Sequence, residues 1–118
     1  MPTTILIVED DAAIRESLCD ALTAEGFRAH TAENGADALA FLEQKTPDVI
    51  LLDLMMPVMS GTEFRLRQLA DPVLAPIPVI VVSAYPVAAV HGPVLYLTKP
   101  VRLGPLLAMI ARALGHEN

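Results

Sequence analysis

The run Val49-Ile50-Leu51-Leu52, apolar at every position and bounded by Pro47-Asp48 before it and Asp53 after it, constrains this chain most. Four consecutive apolar residues leave no polar face for water, so the segment reads as a strand in the middle of a parallel sheet, covered on both sides. Asp53 is then a carboxylate at the exit of a buried strand, and open parallel sheets bind ligands at the carboxyl ends of their strands. A second acidic group, Glu9-Asp10-Asp11, follows the apolar run Ile5-Leu6-Ile7-Val8 in the same way. Two strand ends therefore carry acids, and Asp53 is a candidate reaction centre.

Strand and helix signals alternate five times along the 118 residues, without repeats or low-complexity segments. That alternation predicts βα units and a parallel sheet. After a strand over Ile5 to Val8, the stretch Ala12 to Glu25 places Ile14, Leu18, Ala21 and Leu22 on one helical face, and Gly26 supplies the stop. Phe27 to Ala32 reads as a less buried strand. Asn34 can cap a second helix that turns Ala38, Leu39 and Leu42 inward and ends before Thr46-Pro47. The third strand is Val49 to Asp53, and Ser60-Gly61-Thr62-Glu63 has the form of a capping box opening a helix through about Leu69. Val79 to Val82 and Val94 to Leu97 are the fourth and fifth strands. A last helix from about Pro105 to Leu114 uses proline in the first turn, where its missing N–H costs nothing. The nine residues Tyr85 to Pro93 are short for a crossover, which usually takes at least about 10 to 12 residues. A shortened helix or an irregular loop is expected there, with Val87 to His91 forming a turn or two.

Composition excludes several classes of function. A net charge of −6 and only eight scattered Lys and Arg residues argue against a nucleic-acid-binding surface. The apolar stretches are far shorter than the roughly 18 residues of a membrane span. No basic-plus-apolar leader precedes the first strand, and the single Cys19 allows no intrachain disulfide, so a reducing cytoplasm is expected. His30, His91 and His116 are dispersed, without the spacing of a zinc site. Met55, Met56 and Met59 read either as gap-fillers near the core or as a soft partner surface. Pro57 restricts the turn after Asp53, and Gly61 permits close approach or an unusual backbone angle.

ILIVEDD at the first strand, DLMMPVMSG from Asp53 to Gly61, VVSA at the end of the fourth strand and YLTKP from Tyr96 to Pro100 together resemble the receiver domain of two-component response regulators. The resemblance covers residues 1–118 as a single receiver domain, with its motifs in order at the ends of strands one, three, four and five. It implies a flavodoxin-like, doubly wound five-stranded parallel sheet with strand order 2-1-3-4-5, which sets the first strand beside the third at the topological switch point. It also implies Mg²⁺ as cofactor, with Asp10 and Asp53 as direct ligands, Glu9 acting nearby, often through water, and the Met55 carbonyl supplying a further ligand. Asp11 has a plainer reading as the cap of helix one.

By the same resemblance, Asp53 accepts a phosphoryl group from a phosphohistidine of a histidine kinase or histidine phosphotransfer protein. Lys99 pairs with one phosphoryl oxygen and the Ser83 hydroxyl donates to another. Tyr96 turns inward as part of the switch, and Ala84 leaves space for that movement. The plain alternatives are a solvated Lys99, a Ser83 satisfied by backbone, and a Tyr96 that is only an edge aromatic. A downstream protein target or fused effector, and a homodimer, complete the implied partners. The domain is expected to be a phosphoacceptor, not an enzyme with an external substrate. A receiver-derived adaptor that docks without phosphate is the alternative motivated by the short fourth crossover. A phosphatase of the haloacid-dehalogenase kind is opposed by Met55, which stands where such enzymes carry a second aspartate.

Overall fold

The structure, a computed structural model, describes residues 2–54, 56, 59–84, 92 and 94–115. Its elements run β1 (Thr4–Val8), α1 (Ala12–Ala24), β2 (Arg28–Ala32), α2 (Gly35–Leu42), β3 (Val49–Asp53), α3 (Gly61–Ala70), β4 (Val79–Ser83), β5 (Leu95–Thr98) and α4 (Leu103–Ala113). The strands form one sheet in the order β2-β1-β3-β4-β5, and every adjacent pair is parallel. This is the flavodoxin-like arrangement expected from the sequence. The expected turn or two over Val87 to His91 lies outside the described residues.

Strand parity divides the core in two. Leu6, Val8, Ile50, Leu52, Val79 and Val81 project to the side covered by α2 and α3. Ile5, Ile7, Val49, Leu51 and Ile80 project to the other, against Leu22 of α1 and Leu106 and Ile110 of α4. Each fully buried Ile, Leu or Val contributes roughly 1.5–3 kcal/mol, so the continuous apolar runs fix these strands and their register. Met56 and Met59 are buried in the first of these cores, which agrees with their gap-filling reading.

The helix ends follow local chemistry. The Asp11 side chain accepts from the Ile14 N–H, as the plainer reading of that residue held, and Asn34 accepts from Asp37. At the end of α1, Gly26 has φ 92°, its N–H donates to the Thr23 carbonyl, and the Phe27 N–H donates to the Leu22 carbonyl. These two bonds are a Schellman stop. Ser60 accepts from the Glu63 N–H, while the Glu63 carboxylate pairs with Arg67 at 3.1 Å, one helical turn on.

Several expectations need correction. Glu25 is a cap and not part of α1, β2 begins at Arg28 and not Phe27, β4 continues through Ser83, and β5 is displaced by one residue to Leu95–Thr98. The last helix starts at Leu103, which places Pro105 third in its first turn. Ile14, expected inward, is 36% exposed, whereas Leu22 farther along α1 is sealed. In α3 the sequence suggested no buried polar pair, yet Arg65 and Gln68 are both buried beside Phe64. Arg65 donates to the Gln68 Oε1 at 2.8 Å, and the Gln68 Nε2 donates to the carbonyls of Leu74 and Ile77 at 3.0 Å each. Those bonds offset the cost of an unmet buried polar group, about 1–3 kcal/mol apiece.

His30 on β2 faces Phe41 of α2 with ring centroids 5.0 Å apart, and its buried Nε2 has no hydrogen-bond partner. Burial, then the charges of Lys45 and Arg28, hold its pKa below the ordinary 6.5. On acidification through 6.5 the unfolded chain therefore takes up this proton before the folded one, and stability is lost as pH falls toward the folded value. His30→Phe is expected to make Tm fall less steeply from about pH 7 to about pH 5 than in wild type. Parallel thermal melts check this, and equal slopes would remove His30 from the account.

Candidate functional site

Parity and register assemble the site. Val8 pairs with Leu52, so Glu9 and Asp53 come next on neighbouring strands. Glu9 continues the side taken by Ile5 and Ile7, and Asp53 the side taken by Val49 and Leu51. Lys99 follows β5 with the parity of Leu95 and Leu97, which also pack on that side. Thus three strands deliver Glu9, Asp53 and Lys99 to one corner of the sheet at its carboxyl end.

The distances bear this out. The Lys99 Nζ lies 3.1 Å from the Glu9 Oε1 and 3.5 Å from the Asp53 Oδ2. Glu9 and Asp53 are almost sealed from solvent at 3% and 4%, while Asp10 is exposed at the rim. Carboxylate oxygens of Glu9, Asp10 and Asp53 all lie within 4.8 Å of one another. Ser83 is buried at the end of β4, in register with Thr98, and its carbonyl accepts from the Lys99 N–H at 2.8 Å. The strand-end hydroxyl and the lysine are thereby joined through backbone. The Lys99–Pro100 peptide is cis. Tyr96 is 42% exposed on β5, opposite Val81. The Met55 carbonyl and Pro57 lie outside the described residues.

Charge balance is the controlling feature. Burial, followed by a hydrogen bond to Asp53, raises the Glu9 pKa from 4.5 to about 7, and the bond to Lys99 offsets only part of the rise. Burial alone would lower Lys99, but the hydrogen bond to Glu9 and the charge of Asp53 raise it overall. Lys99 therefore stays an ammonium. With all three acids ionised, three negative charges against one positive leave a charge of −2. An all-oxygen, doubly negative cluster suits a small hard divalent cation, and the donor set fits Mg²⁺. Among the described residues no helix is long and apolar enough to cross a membrane.

Two residues that shape the site were not assigned these roles from the sequence. Arg15 on α1 donates from Nη1 to the carbonyls of Glu9 at 2.9 Å and Asp10 at 3.3 Å. Its place one turn into the helix that follows the acids was the available signal. Lys99 was matched to a phosphoryl oxygen, but its pairing with Glu9 was not foreseen. Strand parity, by which Glu9 shares a side with Ile5 and Ile7, carried that information.

A parallel 2-1-3-4-5 sheet with an acid after β1, another at the end of β3 and a lysine after β5 defines a doubly wound α/β domain with a charged site at the carboxyl end of its sheet. Comparison with known proteins supplies the family: the model of the response regulator receiver domain matches residues 5–111. The chain belongs to that family, the receiver domains of two-component systems. It is 38% identical to the response regulator MprA of Mycobacterium sp. (strain KMS) over 100% of this chain and 53% of that protein. It is 39% identical to the DNA-binding transcriptional regulator NtrC of Escherichia coli (strain K12) over 95% of this chain and 25% of that protein. The chain therefore spans about half or less of these relatives. Among solved structures, the Vibrio cholerae chemotaxis protein CheY4 superposes with a TM-score of 0.88 at 27% identity, covering 97% of this chain and all of that one.

Proposed function

We propose that this domain receives a phosphoryl group on Asp53 from the phosphohistidine of a partner histidine kinase or histidine phosphotransfer protein and thereby switches a protein-binding surface. The observation that carries the reading is the Asp53 carboxylate, nearly sealed, 3.5 Å from the Lys99 ammonium and within 4.8 Å of the Glu9 and Asp10 carboxylates. Family membership supports it. An Asp53 oxygen attacks phosphorus in line, the phosphorus–nitrogen bond of the donor imidazole breaks, and its electron pair returns to the ring. Such transfer depends on positioning and charge neutralisation more than on proton transfer.

Glu9, Asp10 and Asp53 would hold Mg²⁺, with the Met55 carbonyl as a further donor; bound, the ion would neutralise phosphoryl oxygens. Lys99 is within reach of Asp53 and can pair with the incoming group once its contact to Asp53 is exchanged. Ser83, tied by its carbonyl to Lys99, offers its hydroxyl to another oxygen. The added charge of about −1.5 to −2 makes that exchange favourable, and Tyr96 on the neighbouring strand is the residue through which it would reach the surface. The domain is read as a phosphoacceptor in the cytoplasm, without an external substrate. Its output is a downstream protein or fused effector, and a homodimer is one form of the switched state.

The test is incubation with Mg²⁺ and a small phosphodonor, followed by intact-mass measurement. A gain of one phosphoryl group, dependent on Mg²⁺ and blocked by chelation, is expected. An unchanged mass, with no binding of the beryllofluoride mimic, would sink the reading.

A further inference from the structure

Arg15 acts on the acid pair through the pair's backbone. Past Val8 the ladder from β1 to β3 stops. The Glu9 N–H turns to the Ala32 carbonyl at 3.1 Å, and the carbonyls of Glu9 and Asp10 both receive the Arg15 Nη1. The Arg15 N–H in turn donates to the Asp11 carbonyl at 2.9 Å. Three successive peptide carbonyls after the strand are thus held by one residue. Its side chain is only 14% exposed, and its second arm lies 3.8 Å from Glu33, which is 68% exposed. That outer pair contributes little by itself. The grip on two carbonyls matters more, because the orientation of those peptide planes sets where the Glu9 and Asp10 side chains leave the backbone. A guanidinium suits this because its donors are fixed in a planar fork.

We propose that Arg15 is a positioning residue for the divalent cation: by clamping the Glu9 and Asp10 carbonyls it pre-sets the two carboxylates against Asp53 and so determines cation affinity. The proposal rests on the reading of Glu9, Asp10 and Asp53 as the Mg²⁺ site. Electrostatics gives the opposite sign. A guanidinium beside the site repels Mg²⁺, so if charge alone counted, removing it would tighten binding. Residues that orient ligands from behind typically cost 10–100-fold in metal affinity when changed. Positioning therefore outweighs repulsion only if Arg15 removal weakens binding.

Mg²⁺ titrations by calorimetry and by amide chemical shifts decide the sign. Arg15→Met keeps the aliphatic stem and removes every donor; it is expected to weaken Mg²⁺ binding about ten-fold, with phosphorylation by a small donor restored at saturating Mg²⁺. Arg15→Lys, which keeps the charge but loses the fork, is expected to lose less. Glu33→Gln is expected to stay within about two-fold of wild type, since the outer pair is solvated. Equal or tighter binding by Arg15→Met overturns the proposal, as does a phosphorylation rate that stays low at saturating Mg²⁺, or a Glu33→Gln loss as large as that of Arg15→Met. If Arg15→Met does not fold, Arg15→Lys decides, and an affinity equal to wild type overturns the clamp. Absence of Mg²⁺ binding in the wild type overturns both the clamp and the functional reading. Weak binding by wild type that Arg15→Met leaves unchanged overturns the clamp alone.

Discussion

Asp53→Asn is expected to abolish phosphoryl uptake completely while leaving the fold intact. The substitution is nearly isosteric at a position only 4% exposed, so packing at the end of β3 is preserved. The chemistry is not preserved, because an amide oxygen is a poor nucleophile and cannot form the acyl phosphate. Stability is expected to hold or rise. Asp53 raises the Glu9 pKa through a hydrogen bond and through its charge, so its removal relieves repulsion between two buried acids and leaves Lys99 paired with Glu9 at 3.1 Å. That geometry differs from a simple buried ion pair, in which loss of one partner strands the other and costs about 3–5 kcal/mol. Intact mass after exposure to a phosphodonor, hydroxylamine lability of the adduct and a urea unfolding curve check the three parts. Hydroxylamine-labile phosphate on another residue of the variant would move the acceptor away from Asp53.

How far the sequence revealed this arrangement depended on how each residue is buried. β1, β3 and β4 were legible because both faces of each are covered, and a run such as Val49-Ile50-Leu51-Leu52 admits no other placement. The edge strands were less sharply bounded. In β2, Arg28 and Thr31 are exposed, and in β5, Tyr96 and Thr98 are exposed, so only part of each strand carries the apolar signal. The buried Arg65–Gln68 pair was illegible for the opposite reason. Polar residues in a helix look solvent-facing until a partner places the Leu74 and Ile77 carbonyls within reach. At the site, the residue types and strand ends were readable, but their burial was not: Glu9 is the sealed acid and Asp10 the exposed one. Adjacent residues leave a strand on opposite sides, and the parity of Ile5 and Ile7 assigns the inward side to Glu9. The Arg15 clamp escaped the residue pattern because its partners are carbonyls, which every residue has.

Gly61→Ala is expected to damage both stability and phosphorylation, since this glycine joins the fold to the site. A methyl group there would stand 2.5 Å from the Asp53 carbonyl oxygen and 2.7 Å from the Leu54 Cα. Both are backbone atoms, so no flexible side chain can swing aside. The Gly61 N–H also donates to the Leu54 carbonyl at 3.1 Å, and Gly61 opens α3 directly after the Ser60 cap. Relief therefore requires α3 to move outward or the end of β3 to shift. Overpacking of this kind costs about 1–3 kcal/mol, and in a domain this small a drop of roughly 10 °C in Tm is expected. The effect on rate is expected to be larger in proportion. A 1 Å misplacement of a reacting group can cost on the order of 10²-fold, and the Asp53 backbone is what the methyl group displaces. Gly104→Ala supplies the matched control. It lies in the first turn of α4 with open space where its methyl group would go, so the same substitution is expected to leave Tm unchanged or slightly raised and the phosphorylation rate unaltered. Thermal melts and initial phosphorylation rates at saturating Mg²⁺ separate the two effects. If Gly61→Ala matched Gly104→Ala in both, the close approach of α3 to the acceptor strand would not be what holds Asp53 in place.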